Sequence, residues 1–219
     1  MKQTTAILLF SRSALAEAAH KPLAGARDRD VVATTLLQNA RTTLRRSGLP
    51  VFHLDERQQR GTTFGERLTN GMADVFARGY DRLLVVGGDC PAYTAGDLRR
   101  AAAHLETRDT ILAPDRRGGV WLLGMTRGTF DAALLAGQPW QTDKLYAALR
   151  STFADCGRLR TLHDVNTAAE LLRLLRLHPG LLPRLHFLLG GPVRFAERPI
   201  PAPRTHARAT AGRAPPRAA

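Results

Sequence analysis

Short apolar runs alternate with longer amphipathic stretches along most of the chain. Six apolar runs predict β-strands, at residues 5–10, 50–54, 82–86, 110–113, 120–125 and 158–162. Helical spacing of apolar residues predicts helices at residues 30–47, 64–78, 94–105, 142–155, 166–177 and 181–189. Thr94, with Asp97 three residues later, matches a capping box, and Thr142 is a second expected N-cap.

This alternation of strands and helices predicts an α/β fold. We expect a mainly parallel, doubly wound sheet with helices on both faces, which makes a three-layer α/β/α arrangement. The loop of about 19 residues after the first strand is long for such a domain, and long loops are usually functional. Beyond Gly191, Pro, Arg and Ala dominate without periodicity. We therefore expect one domain over residues 1–190 and a disordered tail over residues 191–219.

Charge and composition argue against several classes of function. The formal net charge is +13, of which the predicted tail carries +5. Aromatic residues make up only 6% and do not interleave with basic ones, so we expect no specific nucleic-acid partner. No apolar run approaches the roughly 18 residues of a membrane span, and the N-terminal run fits a strand better than a signal peptide. The two cysteines, Cys90 and Cys156, suit a reducing cytoplasm.

Several common site motifs are absent from the sequence. It contains no P-loop, no G-x-G-x-x-G dinucleotide fingerprint, no G-x-S-x-G nucleophile elbow and no H-E-x-x-H zinc motif. The remaining expectation is a site built from loops at the carboxyl ends of the strands, where open α/β sheets bind their ligands.

The strongest candidate is the segment L-V-V-G-G-D-C-P at residues 84–91. A buried strand ends in Gly87 and Gly88, which let a ligand approach the backbone closely, and then presents Asp89. That carboxylate could hold Mg²⁺ or Mn²⁺ on a diphosphate, because hard cations prefer oxygen ligands. The alternative is that Asp89 only caps the turn and the helix that follow.

Three further segments carry weaker signals. Gly65 lies near a predicted helix start, a natural anion site, and Arg67 adds positive charge; the alternative is ordinary helix initiation. His20 and Lys21 in the long first loop could neutralise phosphate, or could form a solvated surface pair. Asp164 opens a helix, where it could serve as an ordinary N-cap.

Paired glycines also lie between two predicted strands. Gly118 and Gly119 could line a substrate pocket, with Arg116 and Arg117 binding phosphate or carboxylate. The alternative is a β-hairpin turn whose glycines supply positive φ. Trp140 opens a predicted helix, and the local pattern favours packing over recognition.

Taken in order, the motifs resemble a known family. The series F-G-E-R, V-V-G-G-D-C-P, A-P-D-x-x-G-G-V-W-L-L-G, P-W-Q-T and D-V-N-T is similar to the bacterial DUF2064 family over about residues 4–177. That family is grouped with nucleotide-diphospho-sugar transferases of GT-A fold. Its relatives include glycosyltransferases, one of them in arsenosugar biosynthesis, and more distant nucleotidyltransferases of molybdenum-cofactor type.

The resemblance implies a set of roles. Asp89, with Asp164, would hold Mg²⁺ or Mn²⁺, and Lys21 would neutralise charge during catalysis. Nucleotide or phosphate binding would fall to a group comprising His20, Lys21, Gly65, Arg67, Gly87 and Gly88. The acceptor side would comprise Gly118, Gly119 and Trp140.

Two functions follow from the sequence. The first is a metal-dependent transferase that takes a nucleotide-sugar or nucleoside triphosphate and passes a glycosyl or nucleotidyl group to a small acceptor. The second is a non-catalytic protein that binds a nucleotide or anion on the same fold. Arg117 and Asn166 favour the second, because the resemblance implies acidic residues at both positions.

Overall fold

The computed structural model describes residues 4–189, which form six strands and eight α-helices. The strands are β1 Thr5–Phe10, β2 Val51–Leu54, β3 Arg82–Val86, β4 Thr110–Pro114, β5 Val120–Thr126 and β6 Gly157–Arg158. The helices are α1 Ala14–His20, α2 Arg29–Arg46, α3 Phe64–Ala77, α4 Ala95–His104, α5 Ala132–Ala136, α6 Leu145–Thr152, α7 Ala168–Leu177 and α8 Pro183–Leu189.

All six strands form one sheet, in the order β2-β1-β3-β5-β4-β6. Only β5 runs against its neighbours: it pairs antiparallel with both β3 and β4, while the other pairs are parallel. The predicted mainly parallel sheet is therefore confirmed. Because β1, β3, β4 and β6 point the same way, the loops that follow them meet at one edge of the sheet.

Alternation along the strands places a core on each face of the sheet. Ile7 and Leu9 pack with α2 and α4 on one face, whereas Leu8 and Phe10 pack with α3, α5 and α6 on the other. This period of two is the geometry of a strand, and a sheet with apolar residues on both faces must be covered on both. A smaller apolar cluster joins α2 to α7 and α8.

Capping boxes define the starts of three helices. Thr94 and Asp97 form the predicted box at α4, in which the Thr94 hydroxyl accepts from the Asp97 N–H. Equivalent boxes begin α3, at Thr63, and α7, at Thr167. These caps satisfy backbone N–H groups that the first helical turn would otherwise leave unpaired.

The structure corrects three local predictions. The long loop after β1 contains α1, whose N-cap is Ser13. Thr142 does not cap the helix that follows: α6 begins at Leu145, and the Thr142 hydroxyl donates to the carbonyl of Pro139 at 2.7 Å. The last strand is only two residues long, and Leu162 makes a single further bridge to Asp115.

The tail predicted at residues 191–219 lies outside the described residues. Between residues 4 and 189, no helix has the length and apolar character needed to cross a membrane.

Candidate functional site

A cavity of about 730 Å³ opens at the sheet edge where the parallel strands end. Its lining combines the segments after β1, β3 and β4 with the segment before α7. The predicted site residues among the lining side chains and backbone are His20, Lys21, Arg67, Gly87, Gly88, Asp89, Gly119, Trp140 and Asp164. The fold thus gathers residues that are up to 144 positions apart in the sequence, His20 and Asp164 being the extremes.

Lys21 and Asp89 form an ion pair in this cavity. Lys21 Nζ lies 2.8 Å from Asp89 Oδ2 and 3.0 Å from Glu17 Oε1, and the Lys21 side chain is only 12% exposed. Burial lowers the pKa of Lys21, but the charges of Asp89 and Glu17 outweigh it and raise that pKa above its ordinary value. Lys21 is therefore a fixed positive charge inside the cavity and not a solvated surface residue.

Asp89 does not cap the following helix. The N-cap of α4 is Thr94, whose box with Asp97 is complete, so the Asp89 carboxylate is left to face Lys21. A Cβ at Gly87 would lie 2.7 Å from Asp89 Oδ1, so the glycine gives that carboxylate its room. Asp89 is therefore not the helix cap that its alternative interpretation expects.

Two further carboxylates, Asp115 and Asp164, lie near this ion pair. Asp115 follows β4 and accepts hydrogen bonds from the N–H groups of Arg117 and Gly119, at 2.6 and 2.8 Å. Burial raises the pKa of Asp164 to about 8, and the charges of Asp89 and Asp115 and a hydrogen bond with Asp115 act in the same direction. Asp164 Oδ1 is buried and has no hydrogen-bond partner among the described residues.

We call Lys21, Asp89 and Asp164 the charged floor. Among residues 4–189, no group of three or more His, Cys, Asp or Glu side chains is arranged to hold a metal ion. A divalent cation such as Mg²⁺ usually uses one or two carboxylates and completes its shell with water and substrate phosphate. The unsatisfied Asp164 oxygen together with Asp89 fits that smaller ligand set.

The first loop is held in place by carboxylates that sequence reasoning missed. Ser13 donates to Glu56 through both its backbone N–H and its hydroxyl, at 2.6 and 2.7 Å. Glu17 pairs with Lys21 one helical turn later. The i, i+4 spacing of Glu17 and Lys21 was visible in the sequence, but it becomes a signal only once α1 is recognised.

Two predicted site glycines pack behind the cavity. A Cβ at Gly65 would overlap the backbone of Ala136 in α5, and one at Gly118 would overlap the backbone of Asp143. Gly118 also has a φ of +87°, so it supplies the positive φ of the turn between β4 and β5, an antiparallel pair. The α3 start near Gly65 is already occupied, because Glu66 accepts from the N–H groups of Thr62 and Thr63.

Arg117 and Asn166 lie at the mouth of the cavity. Arg117 Nη1 is 3.3 Å from Glu170 Oε1, and Glu170 Oε2 also accepts from the Asn166 N–H at 2.9 Å. The two residues that depart from the expected acidic pattern therefore share one partner, Glu170, at the start of α7. Arg67, which also lines the cavity, donates to the carbonyl of Thr62 at 3.0 Å.

Solved structures share this fold. A candidate nucleotide-diphospho-sugar transferase from Desulfovibrio desulfuricans G20 is 19% identical, with a TM-score of 0.67; the match covers 83% of this chain and 98% of that one. A homologue of Rv0371c from Mycobacterium sp. strain JC1 is 18% identical with a TM-score of 0.50, at the same coverage. Rv0371c of Mycobacterium tuberculosis H37Rv in complex with manganese is 19% identical, with a TM-score of 0.48, over 80% of this chain and 99% of that one. The expected α/β fold class, with its mainly parallel sheet between helices, is confirmed, and the Desulfovibrio protein shares it.

Among curated proteins, none matches this sequence. The model of one protein family does match, over residues 28–142, and its description is an uncharacterized protein conserved in bacteria (DUF2064). That match spans more than half of the chain and includes β2, α3, β3 and the glycine turns of the cavity. The chain belongs to the DUF2064 family.

Proposed function

We propose that the cavity binds a nucleotide-sugar or a nucleoside triphosphate with a divalent cation, and that the protein transfers a glycosyl or nucleotidyl group to a small acceptor. The observation that carries the proposal is the charged floor, where a half-buried lysine and two carboxylates meet at the carboxyl edge of the sheet. Open α/β sheets bind their ligands at that edge.

In this proposal Lys21 binds the diphosphate. Its ammonium is held by Asp89 and Glu17 before any ligand arrives, so it needs little reordering to meet a phosphate oxygen. Because its pKa is raised, Lys21 stays charged throughout the neutral range. Its charge would offset the negative charge that develops on the leaving group.

Asp89 and Asp164 would hold Mg²⁺ or Mn²⁺ beside Lys21. When bound, the cation would neutralise the diphosphate and supply Lewis-acid character. With a pKa of about 8, Asp164 is mostly protonated at neutral pH, so holding a cation requires it to release that proton. Gly87 and Gly88 let the ligand approach the backbone between β3 and α4.

The second candidate is a non-catalytic protein that binds a nucleotide or an anion. The ion pair between Arg117 and Glu170 at the cavity mouth favours it, since this pair stands where an acidic side chain is expected. Such a protein would bind phosphate through Lys21 without needing a cation. The two candidates therefore differ in their dependence on metal.

A thermal-shift panel of nucleoside triphosphates and nucleotide-sugars, with and without Mn²⁺, tests the proposal. A ligand at about 100 times its Kd stabilises a two-state domain of this size by roughly 5–10 °C in Tm. The transferase proposal expects a shift of that size only with Mn²⁺ present. An equal shift without Mn²⁺ would favour the binding protein, and no shift with any nucleotide would overturn both the transferase and a nucleotide-binding protein.

A matched pair of variants tests whether the Mn²⁺-dependent shift in Tm depends on the charged floor. Asp89→Asn keeps the size of the side chain but removes its charge, so we expect the Mn²⁺-dependent shift to disappear. Asp74→Asn removes a carboxylate of the same kind from a solvent-exposed ion pair with Arg60 and should leave the shift unchanged. Equal loss in both variants would contradict the assignment of Asp89.

A further inference from the structure

One side of the cavity is apolar. Phe64, Val120 and Trp140 line it as half-buried side chains, and we call these three residues the apolar wall. The Phe64 and Trp140 rings lie 5.6 Å apart with their planes tilted by 42°. Behind them, a buried set continues the apolar surface into the core: Phe10, Leu68, Leu123 and Leu145.

The apolar wall offers a ligand no hydrogen bond. The Trp140 indole N–H, which is the wall's one side-chain donor, donates to the carbonyl of Leu135 at 2.7 Å. The indole therefore presents its ring to the cavity, and the side chains of Phe64 and Val120 contain no polar atom. A polar group of a ligand placed against this surface would lose its hydrogen bonds to water without replacement.

Two polar residues adjoin the wall in the sequence, and both line the cavity. Gln141 has a φ of +63°, in the left-handed region that a glutamine rarely adopts. Within residues 4–189, neither the Gln141 amide nor the Asp143 carboxylate makes a side-chain hydrogen bond or ion pair. Strain of this kind at a cavity is often part of a ligand site, and here it brings an unpaired amide to the end of the wall.

Building on the proposed transferase function, we infer that the apolar wall binds the acceptor, and that the acceptor carries a flat apolar group. The flat group packs on the Trp140 and Phe64 rings, and a hydroxyl or amine beside it donates to Gln141 or Asp143. A sugar-like acceptor would lose hydrogen bonds to water wherever its hydroxyl groups face the wall. A nucleobase also has a flat face that can stack on aromatic rings, so competition with a bound nucleotide is needed to distinguish it from the acceptor.

Ligand-observed NMR by saturation transfer tests the inference on the full chain without any transfer reaction. Benzyl alcohol is the probe and glycerol the matched polar alcohol. We expect benzyl alcohol to bind at least tenfold more tightly than glycerol. Trp140→Ala should weaken benzyl alcohol binding about tenfold, whereas Phe187→Ala, which removes a phenylalanine that is 89% exposed on α8, should not change it.

A second variant keeps the test valid if Trp140→Ala unfolds. Val120→Thr adds a hydroxyl to the wall in a residue that is partly exposed and begins β5, and threonine is favoured in strands, so the fold should persist. We expect it to weaken benzyl alcohol binding severalfold. Equal binding in the wild type and this variant would overturn the inference, as would equal affinity for benzyl alcohol and glycerol.

Competition separates this inference from the proposed function. A nucleotide that binds with Mn²⁺ should leave benzyl alcohol bound, because the two occupy different parts of the cavity. Displacement of benzyl alcohol by the nucleotide would overturn the acceptor assignment and identify the wall as a nucleobase site. If no nucleotide binds at all, the proposed function fails, while selective benzyl alcohol binding still establishes an apolar ligand at the wall.

Discussion

The charged floor and the apolar wall share one cavity but are built in opposite ways. In the floor, Asp164 is a half-buried residue with one buried and unsatisfied carboxyl oxygen, and the half-buried Lys21 lies against two carboxylates. In the wall, Phe64 and Trp140 extend one of the two main apolar clusters of the fold. Burial of charge costs stability, whereas burial of apolar surface supplies it. The floor therefore lowers the stability of the fold, whereas the wall contributes to that stability.

The largest effect is expected behind the wall. Leu68 is 2% exposed and packs in the cluster that supports Phe64 and Trp140, so Leu68→Ala leaves a cavity in the core. We expect the free energy of unfolding, measured by urea denaturation, to fall by about 3 kcal/mol. Leu15→Ala, at a position that is 76% exposed on α1, should change it by less than about 0.5 kcal/mol. Similar losses in the two variants would show that the wall is not continuous with the core.

A somewhat smaller loss in the free energy of unfolding is expected at Gly118, where the turn between β4 and β5 contacts the segment before α6. Gly118→Ala puts a side chain at a φ of +87° and against the carbonyl of Asp143. We expect a loss of about 2 kcal/mol in the free energy of unfolding. Gly128→Ala, where a Cβ would meet nothing within 4 Å, is the control and should cost little. A tolerated Gly118→Ala would mean that the 139–143 segment moves freely.

A substitution in the floor should raise the free energy of unfolding, whereas the two preceding substitutions lower it. The folded-state pKa of Asp164, about 8, lies above its ordinary value of 3.8, so between these values the folded protein binds the extra proton. Stability from this group is therefore present at low pH and is lost as pH rises toward 8. Asp164→Asn should raise the free energy of unfolding by about 1 kcal/mol at pH 8 and flatten its decline between pH 5 and 8. Urea denaturation across that pH range measures it, and a loss of stability at pH 8 would contradict the account.

Much of the fold could be predicted because its signals are local. Short stretches of sequence predict the strand at residues 82–86 and the capping box of Thr94 and Asp97. Both predictions are confirmed. Helix α1 could not be predicted in the same way. It has only seven residues, and the contacts of Ser13 with Glu56 and of Lys21 with Asp89 hold it to other segments.

The site residues also differ in how local their sequence signals are. Asp89 could be singled out because two glycines and a strand precede it directly. The pairing of Lys21 with Asp89 spans 68 positions, and the raised pKa of Asp164 depends on burial and on Asp115, so neither is visible in one segment. Trp140 was predicted for the acceptor side, but its contact with Phe64 was missed, since the two rings meet only after α3 and α5 have packed.

The binding of Mn²⁺ tests the central claim most directly. Electron paramagnetic resonance measures free Mn²⁺ as the protein is added, with and without a nucleotide from the thermal-shift panel. The account predicts that nucleotide and wild-type protein together bind Mn²⁺ at least tenfold more tightly than either alone, that Asp89→Asn loses this gain, and that Asp74→Asn retains it. Wild-type Mn²⁺ binding in a correctly folded Asp89→Asn variant would contradict the claim.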